Sequence, residues 1–125
     1  MTEKISKPMI LVDMAKNRIR IHRTTLETLQ HPEYVLLIVN PIEKTIGIMP
    51  SKLSDPGAHR VKTPSVMGKK SYELYSGILT RKLREVCPEW LPTGKYLMAG
   101  DLVPGKQLVC FPMGEAEFRG MGKIS

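Results

Sequence analysis

One pattern occurs twice along the chain, and this repetition constrains the fold more than any other feature of the sequence. A strand of alternating apolar and polar residues, Ile19-Arg-Ile-His in one half and Tyr72-Glu-Leu-Tyr in the other, precedes a helix-forming segment. Two further apolar strands then close each half. We therefore predict an α+β fold in which two imperfect strand-helix-strand-strand repeats, residues 9–50 and 70–112, pack as a pseudo-dimer into a small, β-rich, barrel-like domain.

The predicted helices are short and begin at hydroxyl side chains. Thr24 or Thr25 can cap a helix over about residues 24–30, and Ser76 can cap one over residues 77–86. We expect Pro50 to end the last strand of the first repeat. Prolines and glycines predict a linker over residues 51–69, and the glycines of residues 113–125 predict a loose tail.

Length and composition favour one folded domain. The chain has 125 residues, of which 42% are hydrophobic, and its apolar runs are far shorter than the roughly 20 residues of a membrane span. The N-terminus has no signal-peptide pattern, so we expect a cytoplasmic protein without a membrane partner. Cys87 and Cys110 are isolated from each other, which predicts buried, reduced thiols and disfavours a disulfide framework or a zinc site.

The formal net charge of +7, with an isoelectric point near 9.6, is the strongest compositional signal. Basic charge of this size attracts polyanions over long distances, which favours nucleic acid, an acidic membrane surface or an acidic protein as the partner. Charge alone does not choose among these partners. It also leaves open that the positive charge only keeps the protein dispersed.

The basic residues fall into three groups. In the first group, Arg18 and Arg20 would point from one sheet face about 7 Å apart, a spacing that suits successive phosphates, although such charges also protect an exposed strand from edge pairing. The second group lies on the second helix, where a solvated face is the more common explanation, and the third lies on the linker, which could wrap a polyanion. The predicted nucleic-acid-binding residues are Lys16, Arg18, Arg20, Arg23, Arg60, Lys62, Lys69, Lys70, Arg81, Lys82 and Arg84.

Other residue types indicate neither a metal site nor catalysis. The three histidines are too scattered for metal-ligand spacing, the serines lack a nucleophile motif, and no glycine-rich phosphate loop is present. We therefore predict no cofactor and no enzymatic activity. An enzyme with a dispersed site is the third and weakest hypothesis.

The aromatic residues give only a weak indication of base stacking. Tyr34 and Trp90 occupy equivalent positions in the two repeats and could stack bases, but core packing explains them better. Tyr72 and Tyr75 point to opposite faces of one strand, so at most one of them can lie on the surface.

The segment Asn17-Arg-Ile-Arg-Ile-His-Arg-Thr-Thr-Leu-Glu-Thr-Leu, followed by two strands, resembles the swapped-hairpin unit of AbrB- and MraZ-like proteins. The resemblance covers residues 9–50 and, more weakly, residues 72–112. It implies that two units intertwine into one barrel and that the protein is a DNA-binding transcriptional regulator, with basic residues presented from strands and loops. The chain also resembles small orphan proteins of phages and mobile elements of Firmicutes, which implies an anti-defence role.

The leading hypothesis is a DNA-binding regulatory or accessory protein that uses a basic face made of the strand arginines and part of the linker. The alternative is a phage or mobile-element anti-defence inhibitor, for example of a CRISPR effector, that acts by binding a protein. The sequence leaves open whether the protein is a monomer or a homodimer.

Overall fold

The structure is a computed structural model that describes residues 7–61 and 71–122. Within these residues the first half of the chain forms β1 (Met9–Asp13), β2 (Arg18–His22), α1 (Arg23–Thr28), β3 (Tyr34–Asn40), β4 (Thr45–Ser51) and β5 (His59–Arg60). The second half forms β6 (Ser71–Tyr75), α2 (Gly77–Val86), β7 (Gly94–Ala99), β8 (Asp101–Leu102), β9 (Val109–Pro112) and β10 (Glu117–Met121). Neither α-helix has the length and apolar character required to cross a membrane.

The strands form two antiparallel sheets of five strands each. The first sheet has the order β10-β7-β1-β2-β6, and the second has the order β5-β3-β4-β9-β8. The strand-rich α+β class is therefore as predicted, but the strands within residues 7–61 and 71–122 do not close into a barrel. Closure would require the edge strands to pair, and the edges of the second sheet, β5 and β8, are only two residues long.

Alternation along β2 orients the first sheet as predicted. Ile19 and Ile21 are fully buried, and they lie opposite Val12 and Ile10 of β1. Arg18 and Arg20, which alternate with them, point to the other face of the sheet, because successive strand residues alternate sides. Buried residues from both sheets and both helices form one hydrophobic cluster, so the core lies between the inner faces of the two sheets.

Gly100 allows one continuous segment to serve both sheets. β7 belongs to the first sheet, β8 belongs to the second, and Gly100 joins them. A Cβ atom at this position would lie only 2.6 Å from the Cys110 carbonyl oxygen and from the Phe111 ring. The chain can therefore cross between the sheets here only because the residue has no side chain.

The two helices begin differently. Ser76 caps α2 as predicted, since its hydroxyl accepts a hydrogen bond from the Leu79 amide at 3.1 Å. The predicted threonine cap of α1 is wrong, because no side chain caps this helix. The Thr25 hydroxyl instead donates to the Met9 carbonyl oxygen and accepts from the Met9 amide, which ties α1 to β1.

Two predicted boundaries are also wrong. β4 continues through Pro50 to Ser51. The proline is tolerated because β9 pairs with β4 only as far as Ile48 and needs no N–H group from Pro50. Pro50 thus has a strand neighbour on one side only, where the missing N–H is tolerated. The predicted loose tail contains a 3-10 turn and then β10, which pairs with β7 by placing Phe118 opposite Tyr96.

The repeated pattern yields two halves that differ in their strand placement. In the first half, β3 and β4 form a hairpin within the second sheet, and seven residues of each strand are paired. In the second half, β7 lies in the first sheet, and only the two residues of β8 pair with β9. The pseudo-dimer therefore stays a prediction.

Candidate nucleic-acid interface

Arg18 and Arg20 share one face of the sheet as predicted, but both form ion pairs with carboxylates. Arg20 donates from Nε and Nη2 to Glu73 Oε2 at 3.0 and 2.6 Å. Arg18 donates from Nη2 to Asp13 Oδ2 at 3.1 Å, and its Nη1 lies 3.6 Å from Glu73 Oε2. The network joins β1, β2 and β6 across the outer face of the first sheet, so these guanidinium groups already have anionic partners.

Asp13 is the most deeply buried member of this network. Only 3% of its side chain is exposed, and its Oδ1 also accepts a hydrogen bond from the Ala15 amide at 3.1 Å. A Cβ atom on Gly122 would lie 2.5 Å from that oxygen, so the end of the described chain passes directly over the carboxylate. Because a buried charge needs a partner, we assign Arg18 a structural role.

Two more of the predicted basic residues form exposed ion pairs away from this network. Arg23 Nε lies 3.2 Å from Glu27 Oε2 on α1, and Arg60 Nη2 lies 3.5 Å from Glu33 Oε2 at the edge of the second sheet. Exposed pairs contribute little stability, about 0–1 kcal/mol, and they exchange readily with other partners. Arg23 directly follows β2, so it lies roughly 16 Å from Arg18, which is at the other end of that strand. These arginines therefore do not extend one continuous basic face.

His22 adds no positive charge to this face at neutral pH. Burial lowers its pKa from the ordinary value, and the Arg20 guanidinium lowers it further. The imidazole is therefore neutral at pH 7 and lies beside the ion-pair network as a polar group. The linker residues Lys62, Lys69 and Lys70 lie outside the described residues.

A second set of cations meets where the β1–β2 turn packs against α2. The Asn17 carbonyl oxygen accepts a hydrogen bond from the Ser76 amide at 2.9 Å, and its side-chain Oδ1 accepts one from the Thr80 hydroxyl at 2.7 Å. Arg84 Nη2 donates to the Met14 carbonyl oxygen at 3.1 Å. These three bonds hold the turn along the helix, with the exposed Lys16 between the two contact points.

Two exposed apolar side chains lie among these cations. Tyr75 is 62% exposed at the end of β6, and Ile78 is 71% exposed in the first turn of α2. Ile78 has Arg81 and Lys82 three and four residues ahead of it, which are its neighbours on a helix surface. We call this region the turn–helix surface, and it comprises Lys16, Tyr75, Ile78, Arg81, Lys82 and Arg84.

The cations of the turn–helix surface differ from the strand arginines in their partners. Within residues 7–61 and 71–122, none of Lys16, Arg81, Lys82 and Arg84 lies within 4 Å of a carboxylate oxygen. All four side chains are exposed to solvent. The structure therefore places four of the predicted basic residues, from two of the three predicted groups, on two elements that pack against each other.

The aromatic residues divide as their strand positions predict. Tyr75 lies on the outer face, and Tyr72 packs partly against the core. Trp90 is buried and stacks on Tyr96 with ring centroids 4.2 Å apart, which confirms it as a core residue. The predicted site does not include Tyr75 and Ile78. Their positions one residue before and two residues after the predicted cap Ser76 place them beside the basic residues of the second helix, which could have indicated that they belong to the same surface.

The remaining reactive side chains do not assemble into a site. Among the described residues, no three His, Cys, Asp or Glu side chains are grouped closely enough to hold a metal ion. Both cysteines are free thiols; Cys87 is buried and Cys110 is half-buried. Burial, together with the nearby Glu89, raises the pKa of the Cys87 thiol, which keeps it protonated and unreactive at neutral pH.

The sequence and the fold were also compared with known proteins. The chain matches no family model, no curated protein and no solved structure. The resemblance to AbrB- and MraZ-like proteins thus stays a prediction from the sequence, and the functional argument rests on the residues described above.

Proposed function

We propose that this protein binds nucleic acid, in a regulatory or accessory role, through the turn–helix surface. One observation carries the proposal: four exposed cations lie on the β1–β2 turn and on α2, which pack against each other, and within the described residues none of them lies within 4 Å of a carboxylate oxygen. Three hydrogen bonds, two of which involve side chains, hold the turn along the helix before any ligand arrives, which lowers the entropy lost on binding. The overall charge of +7 adds long-range attraction for a polyanion.

The size of the surface sets the expected salt dependence. If Lys16, Arg81, Lys82 and Arg84 each neutralise one phosphate, the logarithm of the binding constant falls with the logarithm of salt concentration at a slope of about −3.6 for duplex DNA. The slope is about −2.8 for a single strand. Both values are shallower than the slope near −5 expected if about six basic residues met phosphates.

The experiment measures binding of fluorescein-labelled oligonucleotides by fluorescence anisotropy between 50 and 200 mM salt. We expect the variant with Lys16→Ala, Arg81→Ala and Arg84→Ala to bind at least about tenfold more weakly at low salt. The matched control carries Lys52→Ala, Lys106→Ala and Arg119→Ala, which removes the same charge from exposed positions elsewhere. Equal losses in the two variants would mean that net charge alone drives binding, and absence of binding by the unmodified protein would refute the proposal.

A protein partner is the second candidate function, and it corresponds to the anti-defence hypothesis. The observation that favours it is the outer face of the second sheet, where Ile38 is 47% exposed. On the same sheet, Met49, Pro50 and Leu108 line an open groove of about 510 Å³. In this case the protein captures a partner from nuclease-treated lysate, and Ile38→Asp abolishes the capture while the turn–helix triple variant retains it.

A further inference from the structure

We infer that the turn–helix surface takes single-stranded nucleic acid, with Tyr75 as the residue on which a base stacks. The inference rests on the proposed function and specifies its ligand. It starts from an arrangement that phosphate contacts alone do not explain: two exposed apolar side chains, Tyr75 and Ile78, lie at the start of α2, and Arg81 and Lys82 neighbour Ile78 on the helix surface.

Tyr75 is held as a fixed platform. Its backbone pairs with Arg18 of β2, and the residue after it caps α2, so both sides of the tyrosine belong to ordered elements. Across the strand pair, the guanidinium of Arg18 is anchored by Asp13 and Glu73 and cannot be displaced without exposing a buried carboxylate. The phenol ring therefore projects from a rigid part of the sheet with 62% of the residue accessible.

Ile78 continues the apolar surface onto the helix. It lies three residues after Tyr75, and its neighbours on the helix surface are Arg81 and Lys82. A single strand can satisfy both kinds of side chain, because its phosphates reach the cations while its unstacked bases cover the apolar groups. Aromatic stacking tolerates any base sequence, since every base has a π face.

A duplex fits the same surface less well. Its base faces are stacked inside the helix, so Tyr75 and Ile78 would press against the charged backbone and gain no contact with a base face. The duplex thus gains the phosphate contacts but not the stacking contribution.

The test compares a 12-nucleotide oligothymidine with a 12-base-pair duplex, each labelled with fluorescein, at one salt concentration. We expect the single strand to bind more tightly, and we expect Tyr75→Ala to weaken its binding at least about fivefold. Tyr75→Phe keeps the ring and retains binding. Phe118→Ala is the matched control, because it removes a similarly exposed aromatic side chain from the opposite edge of the first sheet; it leaves binding unchanged.

The outcomes separate this inference from the proposed function. If the duplex binds as tightly as the single strand and Tyr75→Ala has no effect, while the turn–helix triple variant is still impaired, the inference is overturned and the proposed function stands. If neither oligonucleotide binds, both are overturned, and binding to vesicles of anionic phospholipid in that case would assign the surface to membranes. Circular dichroism and thermal melting of each variant verify that it is folded.

Discussion

The Thr80 hydroxyl donates a hydrogen bond to Asn17 Oδ1 at 2.7 Å and thereby joins a turn of the first half of the chain to a helix of the second half. Thr80 is fully buried, whereas Lys16, next to Asn17, is exposed. This contact is the shortest of the three hydrogen bonds that hold the turn, and with it Lys16, along α2.

Asn17→Ala removes the bond and also places alanine at a φ of 52°, which disfavours residues with a Cβ other than asparagine and aspartate. We expect a loss of about 2–3 kcal/mol in the free energy of unfolding, measured by urea denaturation. Asn17→Gly loses only the side-chain bond and is expected to cost about 1 kcal/mol less, since glycine adopts this φ freely. Equal losses for the two variants would show that backbone conformation does not matter here.

Glu73→Gln tests the claim that the strand arginines are neutralised by their partners. The change removes a shared carboxylate from Arg18 and Arg20, so we expect stability to fall by about 1 kcal/mol. We also expect nucleic-acid affinity to rise, because the Arg20 guanidinium loses its carboxylate partner and becomes available, while Asp13 still holds Arg18. Glu27→Gln makes the same charge change on α1 beside Arg23 and is expected to raise affinity less. Equal gains for both variants would contradict the account.

Gly100→Ala tests the crossing between the sheets. The new methyl group would lie 2.6 Å from both a carbonyl oxygen and an aromatic ring, so we expect a loss of about 2–4 kcal/mol in stability. The control is Gly77→Ala at the first position of α2, where no atom lies within 4 Å of the added Cβ. That variant is expected to be neutral or more stable by up to about 1 kcal/mol, because alanine favours the helix. Thermal or urea unfolding of the two variants makes the comparison.

The lowered pKa of His22 determines how this residue makes stability depend on pH. Burial and the neighbouring Arg20 lower its pKa in the folded state below the unfolded value of 6.5, so the unfolded chain takes up the proton more readily. Stability is therefore unaffected by this group above about pH 7 and declines as the pH falls from 6.5 towards the folded pKa. His59, whose pKa burial also lowers, acts in the same direction. We expect His22→Gln to reduce the decline between pH 7 and pH 5 in urea titrations, and an unchanged decline would contradict the assignment.

Features set by neighbouring residues could be predicted from the sequence. Period-two alternation identified Ile19 and Ile21 as core residues, because the side to which a strand residue points depends on local backbone geometry. The distribution of strands between two sheets could not be predicted. Pairings such as Leu11 with Leu97 depend on contacts between residues far apart in sequence, and β10 is held by its pairing with β7 although its glycines suggest a loose tail.

The candidate site was predictable to a similar extent. The shared face of the strand arginines followed from alternation. The same alternation in Tyr72-Glu-Leu-Tyr puts Glu73 on one strand face, where it can pair with an arginine of a neighbouring strand. Pairing of that strand with β2 was not encoded locally, however. The contact of Arg84 with the Met14 carbonyl oxygen likewise depends on how α2 packs against the turn, which no local pattern contains.

The central claim is that the turn–helix surface, and not the net charge, binds the nucleic acid. The most direct test is the salt dependence of oligothymidine binding by the unmodified protein and by the Lys16→Ala, Arg81→Ala, Arg84→Ala variant. The account predicts a log–log slope of about −2.8 that becomes about 2 units shallower in the variant, since three of the four phosphate contacts are lost. A slope that is the same in both proteins would contradict it.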